Sequence, residues 1–497
     1  MLEQTAERVP EQTALICGDT QLSYAQYRSC VAALAVEFRQ MGIGAGDRVA
    51  LLMCNSADLA IAMFAVQAAG AQVVPLNPAY TQAELAPVLV DADVALLVHD
   101  SELAMICAAV LPPRTPTLAV GAGARDLTEA QVPAALPLPD PQSLSTLQYT
   151  GGTTGVAKGV ELSHAAIATN IAQREALLPT ISGERILAIT PLFHVYAVSM
   201  GLYLAVNCAG TLVIVPKFTA AGVLQDIARH RITFLSASPA IFQAVMRDDG
   251  FNRADLSSLR VCSSGSAALA ADVLQRWERA TGAVICEGYG QTEAGPVLTY
   301  NPLNGARLPG TVGTAVPQTE ISIVDVQTGL TEMPVGQEGE IRARGPQMMS
   351  GYRNRPAETA QALREGWLYT GDIGRITQTA HLVICDRKKD MVVTSGYNVF
   401  PREVEEVVFA MPAVEDVAVV GVPDASRGEM LCAFVVCGER DLSEDDIRDH
   451  IATRLTKYKW PRDIRFVAAL PKTAVGKTDK KELRKMATAN PSHTYLA

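Results

Sequence analysis

Val49-Ala50-Leu51-Leu52-Met53, a helical pattern that runs on to Ala69, and then Val73-Val74-Pro75 form the stretch that decides the fold. Two apolar runs flanking a segment of helical length read as one strand–helix–strand unit, and the helical pattern from Arg28 to Met41 just before them extends the alternation. Such alternation is how a doubly wound α/β layer is written in sequence. It resumes from about Leu144 to Tyr300, where Arg260 to Ser263 and Val284 to Glu287 read as short strands that end in loops. The Pro-rich stretch between, Leu111 to Ser143, reads as a surface connection.

Further along, the period changes. Glu320-Ile321-Ser322-Ile323-Val324-Asp325-Val326 and Glu340-Ile341-Arg342-Ala343-Arg344 alternate with period two, which predicts a small β-barrel or sandwich over about 311–385. After the charged run Asp386-Arg387-Lys388-Lys389-Asp390 come helices near Arg402 to Ala410 and Ser443 to Leu455 and a strand from Val417 to Val420, the pattern of a separate domain of ordinary size. The expected division is therefore a large domain over 1–388, with α/β subdomains to about 310, and a smaller α+β domain over 389–497.

At 497 residues the chain exceeds what one hydrophobic core supports, and 48% hydrophobic with 19% charged residues is the balance of an ordinary globular enzyme. A formal charge of -10 argues against general nucleic-acid binding, which needs a broad cationic footprint. The ten cysteines lack any CxxC pair and mostly lie in apolar runs, as reduced core thiols of a cytoplasmic protein do. No basic and then apolar leader stands at Met1-Leu2-Glu3-Gln4. The uncharged stretch between Arg185 and Lys217 is long enough for a membrane span, but Pro191, His194, Asn207 and Gly210 interrupt it. It divides instead into a strand (186–190), a loop, a buried helix (about 198–206) and another strand (211–215). Peripheral membrane contact stays compatible with this reading, as do a monomer and a homodimer.

Chemistry enters at Tyr149-Thr150-Gly151-Gly152-Thr153-Thr154-Gly155-Val156-Ala157-Lys158-Gly159, between a short strand and a helix beginning near Ser163. Four glycines let backbone N–H groups close around phosphate oxygens, and three threonine hydroxyls and a lysine add donors. Glycines alone would suggest only a turn; with these donors the run reads as a phosphate loop. It is not a Walker A loop, because no glycine stands five residues before a Gly-Lys-Ser/Thr run.

This run resembles the signature loop of the adenylate-forming superfamily, which includes acyl-CoA synthetases, 4-coumarate-CoA ligases and luciferases. The resemblance continues in order through Pro191-Leu192-Phe193-His194-Val195-Tyr196, Ser264-Gly265-Ser266-Ala267-Ala268-Leu269, Gly288-Tyr289-Gly290-Gln291-Thr292-Glu293, Tyr369-Thr370-Gly371-Asp372, Asp386 to Asp390, and Pro471-Lys472-Thr473-Ala474-Val475-Gly476-Lys477. It implies ATP and coenzyme A as cosubstrates, Mg²⁺ as the metal, and a small carboxylic acid as the group activated.

By that resemblance the loop from Thr150 to Lys158 cradles phosphates, Gly265, Ser266 and Ala267 border the adenine, and Tyr289 and Gly290 lie against it. Thr292 would donate to the α-phosphate, and Glu293, with Thr154 assisting, would hold Mg²⁺. Asp372 and Arg387 would take the ribose hydroxyls. Lys477 would bridge the acid and the α-phosphate, and a basic surround from Arg454 to Lys485 would favour phosphates. Lys389 marks the family's hinge, and Gly396 and Tyr397 its pantetheine tunnel. His194, Tyr196, Gly288, Gly290, Pro296 and Val297 would line the acid pocket.

Departures are small: Gly151 stands where Ser is common, Ala157 and Ala268 where Pro is common, and Thr478-Asp479 where an apolar pair follows the lysine. Gly290 stands where acetyl-CoA synthetases carry Trp, implying an acid larger than propionate. No Asp stands in the substrate motif to hold an amino group, so the acid is apolar. A medium- or long-chain fatty acid is favoured, with an aryl or hydroxycinnamic acid as the alternative. Two rivals are an acyl-AMP ligase loading a carrier protein and a non-catalytic nucleotide-binding relative.

Overall fold

The computed structural model describes residues 1–112, 115–150, 157–394, 397–424, 426–438, 442–473 and 477–489, with Asn398 by its backbone alone. They fall into two compact units: Met1–Ile321 with Ala343–Tyr369 and Ala380–Leu382, and Ser322–Arg342 with Thr370–Thr379 and the chain from Val383 onward. The expected boundary at 388/389 lies within the second unit.

The first unit holds the α/β layers. Strand Arg48–Leu52 runs parallel to Gln72–Leu76 on one side and to Leu96–Asp100 on the other. Its continuous apolar sequence follows, because a strand inside a helix-covered parallel sheet is buried on both faces. Helix Ala57–Ala68 returns the chain between the first two strands, and Ser56 caps it by accepting from the Leu59 N–H at 3.1 Å. The preceding helix starts earlier than its apolar spacing suggests, at Tyr24, since Ser23 and Gln26 form a reciprocal capping box. The buried phenols of Tyr24 and Tyr27 donate to the carbonyls of Gly210 (2.7 Å) and Ala60 (2.9 Å).

This sheet has seven strands, ending with Leu144–Thr150, Lys158–Ser163 and Gly351–Tyr352 on one side. The expected surface connection adds an edge strand, Thr117–Val120, on the other. One local expectation changes: the phosphate loop does not lead straight into a helix. Lys158–Ser163 pairs antiparallel with Leu144–Thr150, with Thr150 opposite Lys158, before Ser163 caps helix His164–Leu177. Its alternating part is only Val160-Glu161-Leu162-Ser163, too short to stand out from the loop before it.

A second, nine-stranded sheet has six consecutive parallel strands, Thr13–Cys17, Thr211–Ile214, Arg185–Ala188, Phe234–Ala237, Val261–Ser264 and Val284–Tyr289. The uncharged stretch divides as expected, into strands Arg185–Ala188 and Thr211–Ile214 around helical turns that include a wider π-turn, Val198–Tyr203. Among the described residues no helix is long and apolar enough to cross a membrane.

The period-two segments form a five-stranded sheet in the order Glu320–Val324, Gly339–Arg344, Trp367–Ile376, Leu363–Arg364, with Leu382–Arg387 also beside Trp367–Ile376. In the second unit a further sheet pairs Val414–Asp424 with Gly428–Cys437, and Asp463–Phe466 joins it in parallel. Helices Pro401–Phe409 and Glu444–Ala452 cover it through Val404, Val408, Ile447 and Ile451. All ten cysteines are free, and five are buried.

Candidate active site

In open α/β sheets ligands gather at the carboxyl ends of the strands. The motifs of the first unit lie there: Thr150 ends its strand, 191–196 follow Arg185–Ala188, 265–267 follow Val261–Ser264, and 290–293 follow Val284–Tyr289. Gly151, Gly152, Thr153, Thr154 and Gly155 lie outside the described residues, as does Gly396.

The His194 loop is pinned from three sides. Asn55 accepts from the Leu192 N–H at 2.7 Å, Gln148 donates to the Phe193 carbonyl at 2.7 Å, and His194 Nδ1 accepts from the Tyr196 N–H at 3.3 Å. The Tyr196 phenol lies 2.9 Å from Ser263 Oγ and 3.3 Å from the Tyr300 phenol, and Ser263 donates to Ser236 at 3.0 Å. Four hydroxyls thus line one face of the sheet. Full burial, with Tyr196 adding to it, holds the Tyr300 phenol far above its ordinary range.

Ser266 takes a left-handed φ of 71°, which a non-glycine residue holds only where its surroundings enforce it. Buried Glu287 fixes the same turn by accepting from the Leu269 N–H at 3.0 Å. Gly265 lies under Tyr196, whose ring a Cβ would meet at 3.4 Å.

Gly288 and Gly290 stand where the chain passes close to itself. A Cβ on Gly290 would lie 1.9 Å from the Pro296 carbonyl oxygen, and one on Gly288 would lie 2.5 Å from the Tyr300 ring. Both glycines are required by close approach of chain to chain. Val297 is buried, with Asn170 bonding its N–H and carbonyl at 2.9 and 2.8 Å.

Thr292 is buried, whereas Glu293 is half-buried and its Oε1 accepts from the Tyr352 phenol at 2.7 Å. The Lys158 ammonium lies 5.0 Å from the centre of the Tyr352 ring. Among the described residues no cluster of three or more His, Cys, Asp or Glu could hold a metal. A single carboxylate fits Mg²⁺ that shares its other ligands with substrate phosphates and water.

The second unit brings three predicted residues together. Arg387 Nε lies 3.8 Å from Asp372 Oδ1, and both stand close enough to Lys477 to act on its charge. Burial first, and Arg387 second, push the Lys477 ammonium down to about 8, while Asp372 works the other way. The Asp372 turn is set by Thr370, which accepts from the Asp372 N–H at 3.1 Å and donates to the Ile341 carbonyl at 2.8 Å. Burial and Arg387 likewise lower Lys389. Tyr397 is exposed and stacks on Tyr458, with ring centres 4.6 Å apart.

The expected basic surround is largely neutralised. Lys459, Arg465, Lys472, Lys480, Arg484 and Lys485 pair with Glu403, Asp463, Asp416, Glu405, Asp390 and Glu482. Four of those carboxylates come from distant parts of the unit and were invisible to a count of neighbours in sequence. Thr478 and Asp479 also find a use: Thr478 accepts from Lys472 at 3.1 Å, and Asp479 accepts from the N–H groups of Lys481 and Glu482 at the start of helix Lys480–Ala489.

A family profile described as AMP-binding enzyme matches residues 2–353, and that of the AMP-binding enzyme C-terminal domain matches 403–477. The chain belongs to the AMP-binding enzyme family. It is 34% identical to a long-chain-fatty-acid–CoA ligase of Bacillus subtilis, covering 99% of this chain and 94% of that one. It is 35% identical to a feruloyl-CoA synthase of an Amycolatopsis species, covering 97% of each. Its fold superposes on ATP-bound MatB from Rhodopseudomonas palustris with a TM-score of 0.92 at 30% identity, over 98% of this chain and 99% of that one. With these relatives, the protein is an AMP-forming acid-CoA ligase.

Sequence reasoning missed Tyr352, Tyr300, Ser236 and Ser263. Tyr352 lies 59 residues from Glu293 and meets it only through sheet pairing, so no local signal marks it.

Proposed function

We propose that this ligase forms an acyl-adenylate from ATP and an acid that is aromatic with a polar ring substituent. The carboxylate oxygen attacks the α-phosphorus, the bond to the β-phosphate oxygen breaks, and pyrophosphate leaves. The thiol of coenzyme A then attacks the acyl carbon, and AMP leaves with the former carboxylate oxygen. Asp372 and Arg387 would hold the ribose, one accepting and one donating, while the loop ending at Lys158 and Thr292 would hold phosphates. Lys477 would offset charge where acid and phosphate meet. Glu293 would hold Mg²⁺, which when bound neutralises phosphate charge.

The observation that carries this reading is the Asp372–Arg387–Lys477 triad, a lysine lowered by burial beside a pair suited to a diol. For the acid, the bonded hydroxyls of Tyr196, Ser263, Ser236 and Tyr300 support an aryl acid over the fatty acid favoured by sequence. Methylenes against hydroxyls return no hydrogen bonds, whereas a ring hydroxyl or ester does. We further propose that the chain beyond Lys389 turns about that residue between half-reactions, bringing Gly396 and Tyr397 to the pantetheine, and that the protein works in the cytoplasm.

Acid-dependent exchange of labelled pyrophosphate into ATP, measured across fatty, aryl and hydroxycinnamic acids, tests this. Hydroxylated aryl acids should give the highest kcat/KM, and coenzyme A should stimulate AMP release. A preference for saturated chains would return the acid to the fatty class; stimulation by an acyl-carrier protein alone would make this a carrier-loading ligase.

A further inference from the structure

Two charged residues of the first unit, Lys158 and Glu293, stand 135 positions apart and carry opposite signs, yet one side chain touches both. The Tyr352 phenol donates to Glu293 Oε1 at 2.7 Å, and the face of the same ring receives the Lys158 ammonium at 5.0 Å, within cation–π range. The backbone around Tyr352 is stitched to both partners. The Met349 N–H donates to the Glu293 carbonyl at 2.9 Å, and the Arg353 N–H donates to the Gly159 carbonyl at 2.8 Å. Gly351–Tyr352 pairs antiparallel with the strand that Lys158 begins, placing Tyr352 opposite Val160. Thr359 holds the tyrosine's own N–H at 2.9 Å.

A carboxylate that is to share a small cation with phosphates must present its oxygens in a fixed plane, and a bond to one oxygen supplies that constraint. A lysine on a flexible four-carbon stem needs a similar restraint to meet a phosphate without a large entropy loss. We propose that Tyr352 is a positioning residue that sets the Glu293 carboxylate and the Lys158 ammonium as one unit, coupling recognition of the divalent cation to recognition of the phosphates. This rests on the ligase reading above. Tyr352 touches neither reacting atom and acts through its two neighbours.

The two contacts use different parts of the side chain, so they separate by substitution. Binding of ATP to the full chain would be measured by calorimetry, once with Mg²⁺ and once with EDTA, alongside thermal melting. Tyr352→Phe keeps the ring and loses the O–H, and should weaken Mg·ATP binding by about tenfold or more while leaving metal-free ATP within about twofold. Tyr352→Leu loses both contacts and should weaken binding in both conditions. A purely structural edge residue would weaken both conditions equally in the Phe variant, or neither, and either result overturns the proposal. Should Tyr352→Leu fail to fold, the split in Tyr352→Phe decides alone. Wild-type protein that binds no Mg·ATP would instead overturn the ligase reading, and this proposal with it.

Discussion

In the first unit the candidate site combines hydroxyls, backbone that tolerates no side chain and two opposite charges bridged by Tyr352, whereas in the second Asp372, Arg387 and Lys477 are all charged. Tyr196, Ser263 and Tyr300 bond to one another at strand ends, and Gly288 and Gly290 let chain pass against chain. Asp372, Arg387 and Lys477 stand instead in a setting where ion pairs such as Lys388–Glu340 and Lys480–Glu405 hold the surrounding elements. Neutral groups fixed by a core recognise shape at little electrostatic cost. Charges partly removed from water respond strongly to one another, so they suit a step where charge accumulates.

The largest effect should come from the charged half. Lys477→Ala is expected to slow adenylation by about 10²–10³-fold, the scale of losing one group that stabilises a transition state electrostatically. Thioester formation from supplied acyl-AMP should stay within about threefold. Equal loss in both assays would mean that the lysine serves structure, and the comparison would break.

A stability effect should dominate at the close-packed glycines of the first unit. Gly290→Ala drives a Cβ to within 1.9 Å of the Pro296 carbonyl oxygen, so the backbone must move. Overpacking of that kind costs about 1–3 kcal/mol, visible as a lower melting temperature. An unchanged melting temperature would show that the turn is free to relax.

The pH response sharpens the contrast. With Lys477 at about 8, kcat/KM for adenylation should fall as pH rises through that value, because the neutral amine offsets no charge. Arg387→Gln removes a lowering neighbour and should move the alkaline limb to higher pH; Asp372→Asn removes a raising one and should move it to lower pH. Between about 8 and the ordinary lysine value the unfolded chain binds more protons than the folded one, so this group makes stability rise with pH across that window. A limb that ignores both substitutions would assign the titration elsewhere. The smallest effect is expected at Tyr196→Phe, about tenfold or less in kcat/KM for hydroxylated aryl acids and little for saturated ones.

Much of the architecture was legible because strand and helix periods are local. Val49 to Met53 and Val73 to Pro75 became neighbouring parallel strands, and the helices after Pro401 and Ser443 fell where apolar spacing put them. The strand Lys158–Ser163 was not legible, since its alternation spans only Val160 to Ser163 between a loop and a helix. At the site, Asp372, Arg387 and Lys477 were named from motifs; Asp372 and Arg387 stand 3.8 Å apart, and both act on the charge of Lys477. Tyr352 and Ser263 were not named, because what selects them is a partner brought near by sheet pairing. The basic surround of Lys477 was overread for the same reason: Glu403, Glu405, Asp390 and Asp416 reach it only through the fold.

The central claim is that the acid is activated by bonding its own oxygen to the α-phosphorus. Turnover of a carboxylic acid labelled with ¹⁸O in both oxygens, with ATP, Mg²⁺ and coenzyme A, followed by mass spectrometry of the products, tests it directly. One ¹⁸O should be found in each AMP released and none in pyrophosphate. Label in inorganic phosphate, ADP in place of AMP, or unlabelled AMP would contradict it.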